Sequence, residues 1–148
     1  METNVAGKVS IDINAAASSV WHALITPDLI KEYFFGTEAI SDWKVGSPIV
    51  FKGEWQGKFY EDKGTILQVT PEQLLKYTYC SSISGVNDKP KNYLVITFEL
   101  AENNGSTVLT ITPENIVDEN LKEHNEANWK KVLCDLKRLL EIKTETAL

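Results

Sequence analysis

The stretch ENLKEHNEANWKKVLCDLKRLLEI, Glu119–Ile142, decides the fold. In it Trp129, Val132, Leu133, Leu136 and Leu140 recur at helical spacing, opposite a face of Glu, Asp and Lys. Upstream, Thr37–Pro113 consists almost entirely of short alternating strands and turns. A long amphipathic helix that follows antiparallel strands buries its stripe on a sheet face. Trp129 is too large for a flat helix–sheet seam. The sheet is therefore expected to curve around the helix and leave a pocket between them.

Working outward, Lys8–Asn14 alternates Val9, Ile11 and Ile13 with polar residues and reads as a strand. Ala16–Ile25 switches to helical spacing, with Val20, Trp21, Leu24 and Ile25 on one face. Thr26-Pro27-Asp28 ends that helix and starts a second: Thr26 as cap, Pro27 at the first position, Asp28 on the dipole. The second helix runs to about Tyr33 and ends at Phe34-Phe35-Gly36. Strands follow at Thr37–Ser41, Ile49–Gly53, Lys58–Val69, Leu74–Cys80, Tyr93–Ala101 and Thr107–Thr112. A turn lies around Trp43–Gly46, Gly57 and Gly64 mark a turn and a bulge or close approach, and Ser81–Asn92 is the longest loop. Asn103-Asn104-Gly105 is a strong hairpin turn. Thr144–Leu148 reads as a frayed tail. The expected fold class is α+β, a β-α-α-β6-α order with a curved antiparallel sheet wrapped around a long C-terminal helix.

The 148 residues make one domain, with its core at about residues 8–142. A chain this long buries roughly 68–70% of the surface it exposes unfolded, enough to stand without disulfide or metal. Residues 1–8 do not resemble a signal peptide, and no apolar run approaches the ~20 residues of a membrane span, so a cytoplasmic protein is expected. The net charge is −6, and Arg138 is the only arginine. Nucleic acid, whose phosphates favour a basic face and bidentate arginines, is an unsuited partner. Cys80 and Cys134 have no partner at metal-ligand spacing; a reduced, partly buried thiol is expected at Cys134. No metal and no cofactor is expected.

The residues now quoted carry a resemblance. Ile13-Asn14-Ala15 leads to Val20-Trp21-x-Ala23-Leu24 and Thr26-Pro27-Asp28; Asp42-Trp43-x-Val45-Gly46 and Gly64-x-Ile66 follow. Gly105-x-Thr107-x-Leu109-Thr110-Ile111-Thr112 and Trp129-x-x-Val132-Leu133-x-x-Leu136 complete an ordered set over nearly the whole chain. The sequence resembles the START-like (Bet v 1-like, SRPBCC) helix-grip superfamily. Within it the chain is most similar to small bacterial AHSA1-like proteins, related to the C-terminal domain of the Hsp90 ATPase activator. One departure is Ser47-Pro48 after Gly46, where relatives often carry a second glycine. The resemblance implies a helix-grip fold and a pocket, but that superfamily holds carriers, receptors, cyclases and co-chaperone domains, so it does not name the ligand.

Candidate ligand-binding residues are Tyr33, Phe35, Phe51, Trp55, Tyr77, Tyr79, Phe98, Trp129, Leu133 and Leu136. Those on strands share the parity of inward neighbours, and Trp129, Leu133 and Leu136 lie on the helix stripe; each would serve equally as plain core. The hydroxyls of Tyr77 and Tyr79 either orient a polar ligand group or reach water at the sheet edge. Tyr33, Phe34 and Phe35 end the short helix, where helix-grip folds place the pocket mouth; they either gate it or plug the sheet end. His22 and His124 are the candidates for neutral-pH proton transfer, and both are expected on solvated faces. Three functions remain. The first is non-catalytic binding of a small hydrophobic molecule, lipid, aromatic or polyketide-like, by a monomer or weak dimer. The second is a co-chaperone-like module acting on an Hsp90-family ATPase, with stress response as its setting. The third is a cyclase- or dehydratase-like enzyme, which would need an acid–base group facing the cavity.

Overall fold

A computed structural model describes residues 5–34, 36–55, 57–80, 93–116 and 119–146, without the side chains of Trp55 and residues 142–146. The expected loop Ser81–Asn92 lies outside the described residues.

The elements are β1 (Val9–Ile13), α1 (Ala17–Ile25), α2 (Pro27–Tyr33), β2 (Glu38–Ser41), β3 (Pro48–Trp55), β4 (Lys58–Thr70), β5 (Leu74–Tyr79), β6 (Leu94–Asn103), β7 (Ser106–Glu114) and α3 (Glu119–Thr146). The strands form one antiparallel sheet in the order β1-β7-β6-β5-β4-β3-β2. The expected α+β helix-grip architecture is therefore the observed one. The stripe of α3 is buried as read: Trp129, Val132, Leu133, Leu136 and Leu140 all belong to one core with Ile13, Ile96, Leu109 and Ile111 of the sheet. Each such side chain contributes roughly 1.5–3 kcal/mol on leaving water, which outweighs the weak preference of a polar-faced helix to form alone.

Curvature has local causes. Ile66 pairs with Tyr77 but Gln68 pairs with Lys76, so Leu67 is an extra residue that bends β4. At Gly64 the neighbouring strand comes so close that a Cβ would sit 1.6 Å from the Thr78 carbonyl oxygen. There the Thr65 N–H donates to Thr78 Oγ1, 2.9 Å away, in place of a backbone acceptor. The β6–β7 hairpin turns at Asn104 (φ 54°) and Gly105 (φ 84°), the paired left-handed conformations of a two-residue turn. The start of β3 is held by Gly46 N–H donating to Ile66 O and Ile66 N–H donating to Ser47 O. Ser47 makes this contact through its backbone carbonyl, so it needs no particular side chain.

Helix α3 also grips the sheet edge. Glu126 accepts from Lys8 N–H at 2.8 Å, and Glu141 accepts from Asn14 N–H at 2.9 Å. The fifteen-residue interval on α3 spans about 22 Å, and the six-residue interval on β1 about 20 Å, so helix and strand run side by side. Between those points Lys137 Nζ donates to Asp12 O and to Glu141.

Three expectations need correction. Thr26 makes no side-chain cap on α2; its hydroxyl donates backward to His22 O at 2.5 Å, closing the end of α1. The rotamer that carries the hydroxyl back to the carbonyl at the end of α1 leaves it without a bond to the forward N–H groups of α2. Cys134 is exposed, because the apolar arc of α3 takes Val132, Leu133 and Leu136 and turns position 134 to water. The expected tail is partly helical, since α3 continues through Thr146.

Gly64→Ala should lower stability by about 3 kcal/mol or prevent folding, because the obstacle is backbone and cannot rotate away; urea unfolding measures this. Glu141 is held below its ordinary value of 4.5 by its hydrogen bonds to Lys137 and the Asn14 N–H. Its stabilisation is therefore present above that ordinary value and is lost as pH falls through the lower folded value. The urea-midpoint gap between wild type and Glu141→Gln should be widest near neutrality and close in acid; a gap that is constant with pH would contradict this.

Candidate functional site: an aromatic circuit with a buried carboxylate

Five elements each send one aromatic ring to the same place. Phe34, just past α2, stacks on Phe51 of β3 at 5.7 Å and meets Trp129 of α3 edge-on at 5.5 Å. Phe51 contacts Tyr77 of β5 at 5.7 Å, Tyr77 contacts Phe98 of β6 at 5.8 Å, and Phe98 meets Trp129 edge-on at 5.7 Å. The circuit is closed. These are the separations and tilts at which ring quadrupoles attract, each pair adding about 0.5–1.5 kcal/mol beyond burial.

All five rings line one cavity of about 20 Å³, together with Leu24, Ile30, Tyr33, Trp43 and Ile49. That volume holds roughly one water molecule. Small-molecule pockets run to hundreds of Å³, so the side chains themselves fill this one. A wider hollow of about 520 Å³ beside the β3–β4 hairpin is bordered by Glu38, Lys52, Glu54 and Glu61 around the exposed Phe59 ring. Charged groups in water do not make an apolar enclosure there.

Of the candidate residues, Tyr33, Phe51, Tyr77, Phe98 and Trp129 converge on the cavity. Leu133 and Leu136 are buried in the same core but do not line it. Phe35 lies outside the described residues, as does the side chain of Trp55. Tyr79 stands one ring further out, 5.7 Å from Phe51. Sequence reading left Trp43 unassigned and gave Phe34 only a share in gating; it sits half-buried over the circuit. Trp21, placed by its spacing on the apolar face of the first helix, lies in the core.

The residue sequence reading missed altogether is Asp62. It is only 5% exposed, and it faces the cavity side of the sheet because it is the cross-strand partner of Phe51. The signal was available: Asp62 shares strand parity with Gly64 and Ile66. Tyr79 donates its hydroxyl to Asp62 Oδ2. Close by, the Tyr60 ring lies across Gly53, where a Cβ would come 2.4 Å from its hydroxyl oxygen. That oxygen shares a 2.5 Å hydrogen bond with Thr37 Oγ1, itself buried. Tyr33 donates to Ala23 O at 2.9 Å. Burial drives the Tyr33 and Tyr77 phenols well above the ordinary phenol value. Burial does the same for Tyr79, with the charge of Asp62 adding to it. These groups therefore stay protonated and do not act as bases; Tyr33 and Tyr79 donate as described.

His22 and His124 are exposed, and His22 shares its Nδ1 with the Thr26 hydroxyl at 3.2 Å. Among the described residues no group of three or more His, Cys, Asp or Glu could hold a metal. Among the described residues no helix is long and apolar enough to cross a membrane.

The family described as Activator of Hsp90 ATPase homolog 1-like protein matches residues 14–141. The chain belongs to that family. Among solved structures, protein ChR145 from Cytophaga hutchinsonii is 45% identical, with a TM-score of 0.84 over 98% of this chain and 99% of that one. Protein CV1439 from Chromobacterium violaceum shares 21% identity, with a TM-score of 0.76 over 92% and 96% of the two chains. The Aha1 dimer from Colwellia psychrerythraea shares 21% identity, with a TM-score of 0.74 over 93% and 97%. The last two are likenesses of fold. No curated protein matches the sequence.

Trp129 is 8% exposed and bridges Phe34 to Phe98. Trp129→Ala should therefore cost about 3–5 kcal/mol, read as a shift in the urea midpoint at unchanged slope. A loss below about 1 kcal/mol would mean that the ring fills no core space.

Proposed function

We propose that this family member binds a small, largely apolar molecule, without catalysis, in the space now occupied by its aromatic circuit. The observation that supports this is the position of Phe34. Four of the five rings are fixed by strands or the long helix, but Phe34 follows the seven-residue α2 and is only half-buried. Moving that one side chain outward enlarges the cavity with no strand displaced. Its place can be taken by a ligand ring, which keeps the contacts with Phe51 and Trp129 that Phe34 makes in the closed state. The alternative raised by the family's description is action on an Hsp90-type ATPase. It requires no ligand, and no feature of the cavity calls for it.

Native mass spectrometry of freshly purified protein, with the denatured mass as reference, tests for a resident molecule. Fluorescence titration with N-phenyl-1-naphthylamine tests capacity directly. One equivalent should bind in a hydrophobic environment, and Phe34→Ala should bind about tenfold tighter, since the side chain no longer has to be displaced. Neither an adduct nor probe binding in either protein would overturn the reading, and ATPase stimulation by the unliganded protein would then favour the chaperone role.

A further inference from the structure

The cavity reading leaves one group unexplained: the hydroxyl of Tyr77. The residue is 3% exposed and lines the cavity, yet no hydrogen bond joins its phenol to any described residue. Burying a hydroxyl without a partner is costly, and a core built only to exclude water would carry phenylalanine at that position. Phe51 and Phe98, its two neighbours in the circuit, are that choice. We infer that the Tyr77 hydroxyl is the seat for a carbonyl oxygen on a neutral aromatic molecule held in the cavity. This rests on the proposed ligand-binding function and narrows it to one chemical class.

Three observations converge. First, the hydroxyl opens on the cavity. Among the described residues, the one side-chain polar atom both sealed in protein and unpartnered is Asn125 Oδ1 on α3. The Tyr77 oxygen, unpartnered but not sealed, therefore touches open space, and for a residue this deeply buried that space is the cavity it lines. Second, its role is that of a donor. Burial keeps the phenol protonated, and no described group takes its proton, whereas the Tyr33 proton goes to Ala23 O at 2.9 Å. The remaining polar side-chain atoms of the lining residues are the indole N–H groups of Trp43 and Trp129, which only donate. Third, no charged side chain lines the cavity. A carboxylate, phosphate or ammonium brought there would lose its water with no opposite charge in return. A carbonyl needs only a donor, and it brings no proton of its own to be placed. Tyr77 is the member of the circuit opposite the Phe34–Trp129 contact. A ligand ring standing in for Phe34 can thus direct its carbonyl across the circuit to the hydroxyl.

The probes are 4-phenyl-2-butanone and (3-methylbutyl)benzene, which match in shape and differ by a carbonyl, with 4-phenylbutyrate and 4-phenylbutylamine as charged counterparts. Titrations of the full chain are followed through the indole N–H resonances of Trp43 and Trp129, both of which line the cavity. Tyr77→Phe should bind the ketone about tenfold more weakly and the hydrocarbon unchanged. The infrared carbonyl stretch of the bound ketone should lie at lower frequency in the wild type than in the variant. Because the hydroxyl has no protein partner in the empty protein, the variant should fold with an undiminished urea midpoint. A ketone-to-hydrocarbon affinity ratio equal in the two proteins overturns the carbonyl seat while leaving the cavity reading intact, as does a charged probe that binds as tightly as the ketone. A clearly lowered midpoint also overturns it, since the hydroxyl would then be bonded in the empty protein. Failure of every probe to shift either indole overturns the cavity reading and the carbonyl seat together.

Discussion

The closed circuit of Phe34, Phe51, Tyr77, Phe98 and Trp129 is the constraint on which the other features depend. Its members come from the end of a short helix, three strands and the last helix, so no two neighbouring rings share an element. A flat sheet cannot hold Phe51 of β3, Tyr77 of β5 and Phe98 of β6 in one circuit closed by Phe34 and by a Trp129 whose helix also runs along β1. The bulge at Leu67 and the tight approach at Gly64 supply the bend, and both act on β4, between β3 and β5. The grip is therefore a property of one strand's irregularity as much as of the helix that is gripped.

Polar groups on the concave side are few, and three of the described hydroxyls there pair with specific partners. Tyr33 reaches a helix carbonyl, Tyr79 a carboxylate and Tyr60 a threonine. Each bond crosses between elements and fixes where a ring can lie. Ring faces left without such a tether are free to trade partners, since quadrupolar contacts tolerate substitution of one ring for another. Tethered phenols around exchangeable phenyls suit a site that must be firm in outline and permissive in content.

Much of this was legible in the order of residues. Period-2 stretches from Leu74, Leu94 and Thr107 gave strands with the right faces inward, and the stripe from Trp129 to Leu140 named the helix contact surface. Parity also implied that Phe51, Tyr77 and Phe98 share a side. Other features needed three dimensions. A 20 Å³ cavity and a 300 Å³ one place the same residues on the same face, because the difference is a rotation of side chains. Thr26 could cap in either direction, and only its rotamer decided it. Asp62 was passed over because a carboxylate in a strand reads as the solvated face. Parity pointed the other way, and the partner that makes burial tolerable lies 17 residues along, on another strand.

The carboxylates of Glu126 and Glu141 that bind the Lys8 and Asn14 amides have a consequence for assembly. With the Asp12 carbonyl taken by Lys137, three of the outward backbone groups at and beside β1 that would otherwise template an incoming strand are occupied. A linear polymer joined strand to strand needs two receptive edges on every subunit. Here one edge is stoppered, and only the four residues of β2 remain at the other. Among the described residues, edge-to-edge joining is therefore favoured through β2, which links two copies and does not readily extend into a polymer.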